Sequence, residues 1–227
     1  MSRSFGLVDY KVLEAEFFLN ELNRISKLGE NFNVSGVQFC ASAFVSASRS
    51  ITFAMQASLK NQSEFDDWYG CHQESLRQNS LAKFFHNFRT VTQHVGESVV
   101  NGGMLVDGKM LFLFCPCKDL PKVPVQDVLT ACEEYFRIVL SIVYDCYLKL
   151  GNLIDGQQYY TQENFFKLGK SIEDAEEELG FPRGWTQIGL ADEHLFERWN
   201  LLRKNAGGCE IEDVFLKWLD LKLPRNI

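Results

Sequence analysis

Arg89 and His94 stand five positions apart in the run FFHNFRTVTQH, residues 84 to 94, with His86 and Asn87 just ahead of them. A guanidinium holds a phosphate through two parallel hydrogen bonds, and an imidazole titrating near neutral pH passes protons. Brought into one cleft, the two suffice for phosphodiester cleavage without a metal ion. The histidine would move the proton and the arginine would offset charge on the phosphoryl oxygens. The spacing alone is weak, because an arginine a few places before a histidine arises by chance in many chains. What surrounds the pair is more informative.

The surroundings are helical. Leu81, Phe84, Phe85, Phe88, Val91 and Val95 recur at i, i+3, i+4 and i+7, so they predict one apolar stripe on a helix that starts after Asn79 and Ser80 and stops at Gly96. Lys83, Asn87, Thr90 and His94 then line the opposite, polar side. At about 100° per residue, Arg89 and His94 lie roughly 140° apart and flank that polar face from its two edges. Lys83, His86, Asn87 and Thr90 are therefore candidate substrate-binding residues beside the candidate catalytic pair.

Other elements must pack against this helix. Residues 8 to 27 carry apolar positions at a helical period. Residues 33 to 59 carry Arg49 as their only charge among alanines and serines. The serines, two glutamines and the arginine make membrane insertion costly, so this segment is expected to be a buried central helix. An arginine there needs a partner, and Asp66 and Asp67 on the next segment are the candidates for a structural ion pair, with Glu74 beyond them. Ser63 is placed to cap that segment, residues 63 to 79. Asp107-Gly108 between apolar runs predicts a β-hairpin within 98 to 114. A proline-rich connector follows, then a long apolar helix over 125 to 150, stopped at Gly151.

Beyond residue 151 the chain is more polar. Ser171 with Asp174 resembles a helix-start cap, and EDAEEEL at 173 to 179 is expected to be a solvated face. Two short helical patterns follow at 192 to 204 and 210 to 221, with Trp185, Trp199 and Trp218 at core-like positions. The expected architecture is mainly α. A helical bundle with a small hairpin occupies residues 1 to 150, and a helical extension over 151 to 227 packs on it.

Composition narrows the function classes. The chain has 227 residues, 46% of them hydrophobic and 19 of them Phe, and a formal net charge of −7. Such an acidic balance disfavours a surface that coats nucleic acid broadly and leaves room for one local basic site. Seven cysteines without regular spacing fit free thiols in a reducing cytoplasm, and the opening residues show no signal-peptide pattern. Cys115-Pro-Cys117 is too tight for the usual zinc pair, so no metal is expected. His72 and His194 lack motif neighbours. No phosphate-binding glycine loop, dinucleotide fingerprint or nucleophile elbow is present, so no cofactor is expected.

The helix with R-x4-H resembles the signature of the HEPN superfamily, and the blocks ASAFVSASRSITFAMQ, EFDDWY and LAKFFHNFR are similar to bacterial proteins of that kind. The likeness spans roughly residues 8 to 150. It implies a helical bundle, usually a homodimer in which the two motif helices meet, and in many members a metal-independent endoribonuclease. Others bind nucleotides without cleaving. Carried over, Arg89 and His94 are the motif pair. RNA or a nucleotide is the implied ligand, and an antitoxin-like protein an implied partner. The family often has Asn directly after the arginine, where this chain has Thr90. The alternative is a dimeric binding or structural module without chemistry, its Arg89 and His94 bonded across the dimer seam.

Overall fold

The computed structural model describes residues 5–29, 33–60, 62–95, 98–187 and 194–224. For His94 and Val95 it describes the backbone only. The fold is mainly α: ten α-helices, one π-helical turn, one 3-10 turn and one two-stranded sheet account for the regular structure among these residues. The chain forms two compact units, one of Leu7–Val143 with Asp213–Leu221, the other centred on Tyr144–Glu212. No helix among the described residues is long and apolar enough to cross a membrane.

In the larger unit, α1 (Gly6–Ser26) buries Val8, Val12, Ala15, Leu19, Leu22 and Ile25, an i, i+3, i+4 stripe, on its inner side. Asn33 caps α2 (Val34–Ser58), its side chain accepting from Ser35 N and Gly36 N. Ala41, Ala47 and Ala54 keep α2 slim, and Phe44, Ile51 and Met55 fill its inner face. α3 (Ser63–Gln78) starts one residue earlier than its composition suggests. Gln62 occupies the cap position without a side-chain bond, and Ser63 is the first helical residue. Its buried residues are Phe65 and Tyr69, one turn apart.

Asn79 caps α4 (Ser80–Thr90) by accepting from Ala82 N. The apolar stripe predicted for it is buried: Leu81, Phe84, Phe85 and Phe88 all face the core. The α-helix does not run to Gly96, however, which lies outside the described residues. It gives way to a π-helical turn over Val91–Val95. The run Thr90-Val91-Thr92 is β-branched, and the Thr92 hydroxyl donates to the carbonyls of Phe88 and Arg89, a local bond that competes with the regular ladder.

β1 (Val100–Val106) and β2 (Lys109–Phe114) form the expected hairpin, Val106 opposite Lys109. Asp107 and Gly108 both have positive φ, 49° and 76°, as a tight two-residue turn between right-twisted strands demands. Met110, Phe112 and Phe114 alternate inward from β2, and Phe114 meets Phe84 at 4.8 Å. α5 (Val128–Ile154) begins under an Asp127 cap. Its regular helical backbone breaks at Leu150, whose φ of −118° and ψ of 17° are not helical, directly before Gly151, and a further helical turn follows to Ile154. Phe44, Phe85, Tyr135 and Phe136 interlock at its centre, with Phe85 stacked on Tyr135 at 4.5 Å. Burying each such ring contributes about 1.5–3 kcal/mol, and good ring pairs add about 0.5–1.5 more, so this cluster outweighs any surface ion pair. The last helix, α10 (Glu212–Leu219), returns to this unit. Trp218 lies edge-on to Phe136, and its Nε1 donates to Glu16.

The smaller unit holds α6 (Gly156–Tyr159), α7 (Gln162–Lys167), α8 (Ile172–Glu178) and α9 (Leu195–Asn205). Its core joins Tyr159, Tyr160, Phe165, Ile172, Ala175, Trp199 and Leu202. Ser171 and Asp174 form a complete capping box at the start of α8. Gly156 donates its N–H to Gly207 O, and a Cβ there would come within 2.7 Å of that oxygen, so only glycine fits the approach. The acidic run of α8 is not wholly solvated. Glu176 is fully buried and accepts from Gly184 N, Thr186 N and the Thr186 hydroxyl, with Arg198 3.7 Å away. Arg198, also buried, binds Thr186 and Glu173. An acidic run predicts a wet helix face, but an arginine from α9 supplies the countercharge that lets one member go inside.

Burial alone would raise the Glu176 pKa, yet these hydrogen bonds and the Arg198 charge bring it below the ordinary glutamate value. A depressed carboxylate contributes stability that is complete above its unfolded pKa and fades as pH falls through the folded one. Glu176→Gln should therefore cost about 3 kcal/mol near neutral pH, leaving Arg198 under-compensated. The loss should shrink below about pH 4. Urea midpoints at pH 7 and pH 3.5 measure both, and an equal deficit at the two values would contradict the assignment.

Candidate functional site

The polar side of α4 opens onto a concavity of the larger unit, a pocket of about 480 Å³. Three helices build its floor: Val45 of α2, Ala82 and Phe85 of α4, and Tyr135 of α5, all buried. The same Phe85–Tyr135 stack that anchors the core thus closes the pocket from beneath. Tyr69, Gln73, Leu76 and Arg77 of α3 form one wall. Arg49, Lys83, His86, Asn87 and Arg89 complete the lining, and no carboxylate is among the described residues that line it.

Lys83, His86, Asn87 and Arg89, singled out by spacing, therefore do share one site. Lys83, His86 and Asn87 are exposed around its mouth, while Arg89 is half-buried. Thr90 is not in the lining. Its hydroxyl donates to the carbonyl of His86, one turn back on its own helix, because a threonine there finds a backbone acceptor closer than any ligand. The side chain of His94 lies outside the described residues. Its backbone sits in the π-helical turn, where i→i+5 bonding turns the chain through less than 100° per residue. Residue 94 is consequently nearer to Arg89 in azimuth than the 140° of an unbroken α-helix.

The ion pair expected between Arg49 and Asp66 or Asp67 does not form. Phe65 and Tyr69 take the inner face of α3, which turns both aspartates to solvent. Arg49 instead donates from Nη1 to the Thr52 hydroxyl at 3.1 Å and lays its guanidinium over the Phe53 ring at 4.4 Å. Arg49 is also among the residues that line the pocket. Arg77 has only a loose, exposed contact with Glu74, at 3.6 Å.

Arg89 is the least satisfied group. Its Nε is buried without a hydrogen-bond partner, one of two such side-chain atoms among the described residues, the other being Ser48 Oγ. Burial pushes the Tyr135 hydroxyl up to about 12, against the opposing pull of Arg49. The phenol therefore stays protonated and is a donor at any physiological pH. Four cations in one concavity repel each other, and that strain is relieved by an anion.

Sequence spacing did not point to Gln73, Arg77 or Tyr135. The signal that could have found Arg77 is its position, just ahead of the Asn79 cap that turns the chain into α4. Nothing in the sequence marks Tyr135, an aromatic in an apolar helix. The other histidines are tied locally: His72 lies edge-on to Trp68 at 4.5 Å, and His194 is 3.8 Å from Glu197. Cys115 and Cys117 are free thiols. Among the described residues, no three His, Cys, Asp or Glu side chains stand where they could hold a metal ion. Compared with family models, curated proteins and solved structures, the chain has no match.

An unsatisfied buried donor costs about 1–3 kcal/mol, and removing it is neutral or stabilising. Arg89→Met keeps the stem and loses the orphaned charge, so the folded chain should gain about 1 kcal/mol, or about 2–4 °C in Tm. Ser48→Ala should act in the same direction. Scanning calorimetry decides the point, and a lower Tm for Arg89→Met would mean that its guanidinium ties the fold together.

Proposed function

We propose that this chain is a HEPN-like helical protein that binds RNA or a nucleotide at the Arg89 pocket and, with His94, cleaves RNA without needing a metal ion. The observation that carries the reading is a concave site on a chain of net charge −7 whose lining holds Arg49, Arg77, Lys83 and Arg89 and, among the described residues, no carboxylate. A local basic site of this kind recognises phosphate without coating nucleic acid at large. The R-x4-H spacing and its similar flanking blocks supply the reaction. Two copies of the chain bring their α4 helices to a common cleft. The His94 imidazole takes the proton of a ribose 2′-hydroxyl, the 2′-oxygen attacks the adjacent phosphorus, and the 5′-oxygen leaves with a proton. A 2′,3′-cyclic phosphate remains. Arg89 neutralises the charge that builds on the phosphoryl oxygens, the dominant contribution in such reactions.

A second reading, binding without cleavage, is favoured by Thr90, which stands where the family often has Asn and spends its hydroxyl on His86. Incubation with mixed RNAs in EDTA separates the two. Cleavage to cyclic-phosphate ends should fall about 100-fold or more in His94→Ala with RNA binding retained. Arg89→Met should lose both. RNA binding with no cleavage by any form leaves the second reading standing, and equal cleavage by the parent chain and His94→Ala removes His94 from the reaction.

A further inference from the structure

Resting on the second reading of the pocket, binding without cleavage, we infer that Arg49 and Arg89, with Tyr135, clamp a terminal phosphomonoester, so that the ligand is a phosphorylated nucleotide or RNA end and not the interior of a strand. The two arginines come from different helices, α2 and α4, and both are half-buried beside the pocket floor. Val45, Ala82, Phe85 and Tyr135, all buried, line that floor. A chain end reaches it with one strand leaving the pocket, whereas an interior segment needs room for two.

Charge points the same way. An interior phosphodiester carries one negative charge, and a terminal phosphomonoester carries about −1.5 to −2 at neutral pH with three acceptor oxygens. Two planar guanidiniums and one phenolic donor match that dianion in charge and in acceptor number. Arg49 is already oriented for it. Stacking on Phe53 and the bond from Nη1 to Thr52 fix the plane of its fork, and its other nitrogens make no hydrogen bond with the described residues. The Arg89 Nε has no partner at all among them. The Tyr135 ring is held by its stack on Phe85, and its hydroxyl makes no hydrogen bond within the described residues and borders the pocket. Arg77 and Lys83, exposed at the mouth, are left for the next phosphate along the strand. A volume of about 480 Å³ holds a terminal nucleotide and little more.

The test uses the full-length chain and short 2′-O-methyl oligonucleotides, which cannot be cleaved through a 2′-oxygen. One sequence is made with a 5′-phosphate, with a 3′-phosphate, and with hydroxyls at both ends, each carrying an internal fluorophore for anisotropy. One phosphorylated form should bind about tenfold or more tightly than the hydroxyl form, and which one wins identifies the end. In Arg49→Gln the ratio should fall to about one, in Tyr135→Phe it should fall several-fold, and Arg49→Lys should keep part of it. If Arg49→Gln does not fold, as thermal melts would reveal, the Arg49→Lys and Tyr135→Phe ratios carry the test. Equal, tight binding of all three oligonucleotides overturns end recognition and leaves the RNA reading intact. A preference that survives Arg49→Gln or Tyr135→Phe undiminished overturns the clamp. Failure of every oligonucleotide to bind overturns both the clamp and the reading beneath it.

Discussion

Phe85 stacked on Tyr135, with Phe44 and Phe136 locked against them, sets where α2, α4 and α5 lie relative to one another in the larger unit. Everything polar in the site follows from that packing. Once Phe84, Phe85 and Phe88 are driven inward, the remaining azimuths of α4 must carry Lys83, His86, Asn87 and Arg89 outward. The hairpin completes the enclosure, since Phe114 of β2 covers the ring cluster from another side. A pocket walled this way is held by burial worth several kcal/mol per ring. Its shape therefore does not depend on the charged groups around it.

Those charged groups are arranged against the ordinary preference for compensation. Elsewhere the chain pairs its charges: Arg198 with Glu173 and Glu176, Arg183 with Asp174 and Glu177, Lys217 with Glu16. At the pocket the pattern is broken, and Arg89 keeps a buried Nε without an acceptor. Free energy spent on an unsatisfied donor and on like-charge repulsion is the kind of cost found at sites that await a ligand. The π-helical turn after Thr90 belongs with this, because it rotates the backbone of residue 94 toward the side of Arg89 just where the α-helical hydrogen bonding is already weakened.

The parts of the fold legible in advance were those set by local chemistry. Apolar periodicity drew α1, α2 and α4, Asp107-Gly108 drew the hairpin, and Ser171 with Asp174 drew the start of α8. The misjudged parts each depended on a distant residue. A helix whose single charge is Arg49 calls for an acidic partner, but nothing local shows that Asp66 and Asp67 face solvent once Phe65 and Tyr69 are buried. The acidic neighbours of Glu176 predict a solvated side chain, and Arg198, 22 positions later, reverses that.

By itself, then, the order of residues determined which segments coil, which face of α4 is apolar, and that Lys83, His86, Asn87 and Arg89 share one helix. These are consequences of period and propensity, which act over a few residues. Only the tertiary structure decided that Arg49 and Arg77 converge on the same space, that Tyr135 floors it, that Thr90 turns back to its own helix, and that no carboxylate of the described residues enters. Convergence of side chains 28 to 86 positions apart is a property of how ring clusters pack in three dimensions, and no local period encodes it.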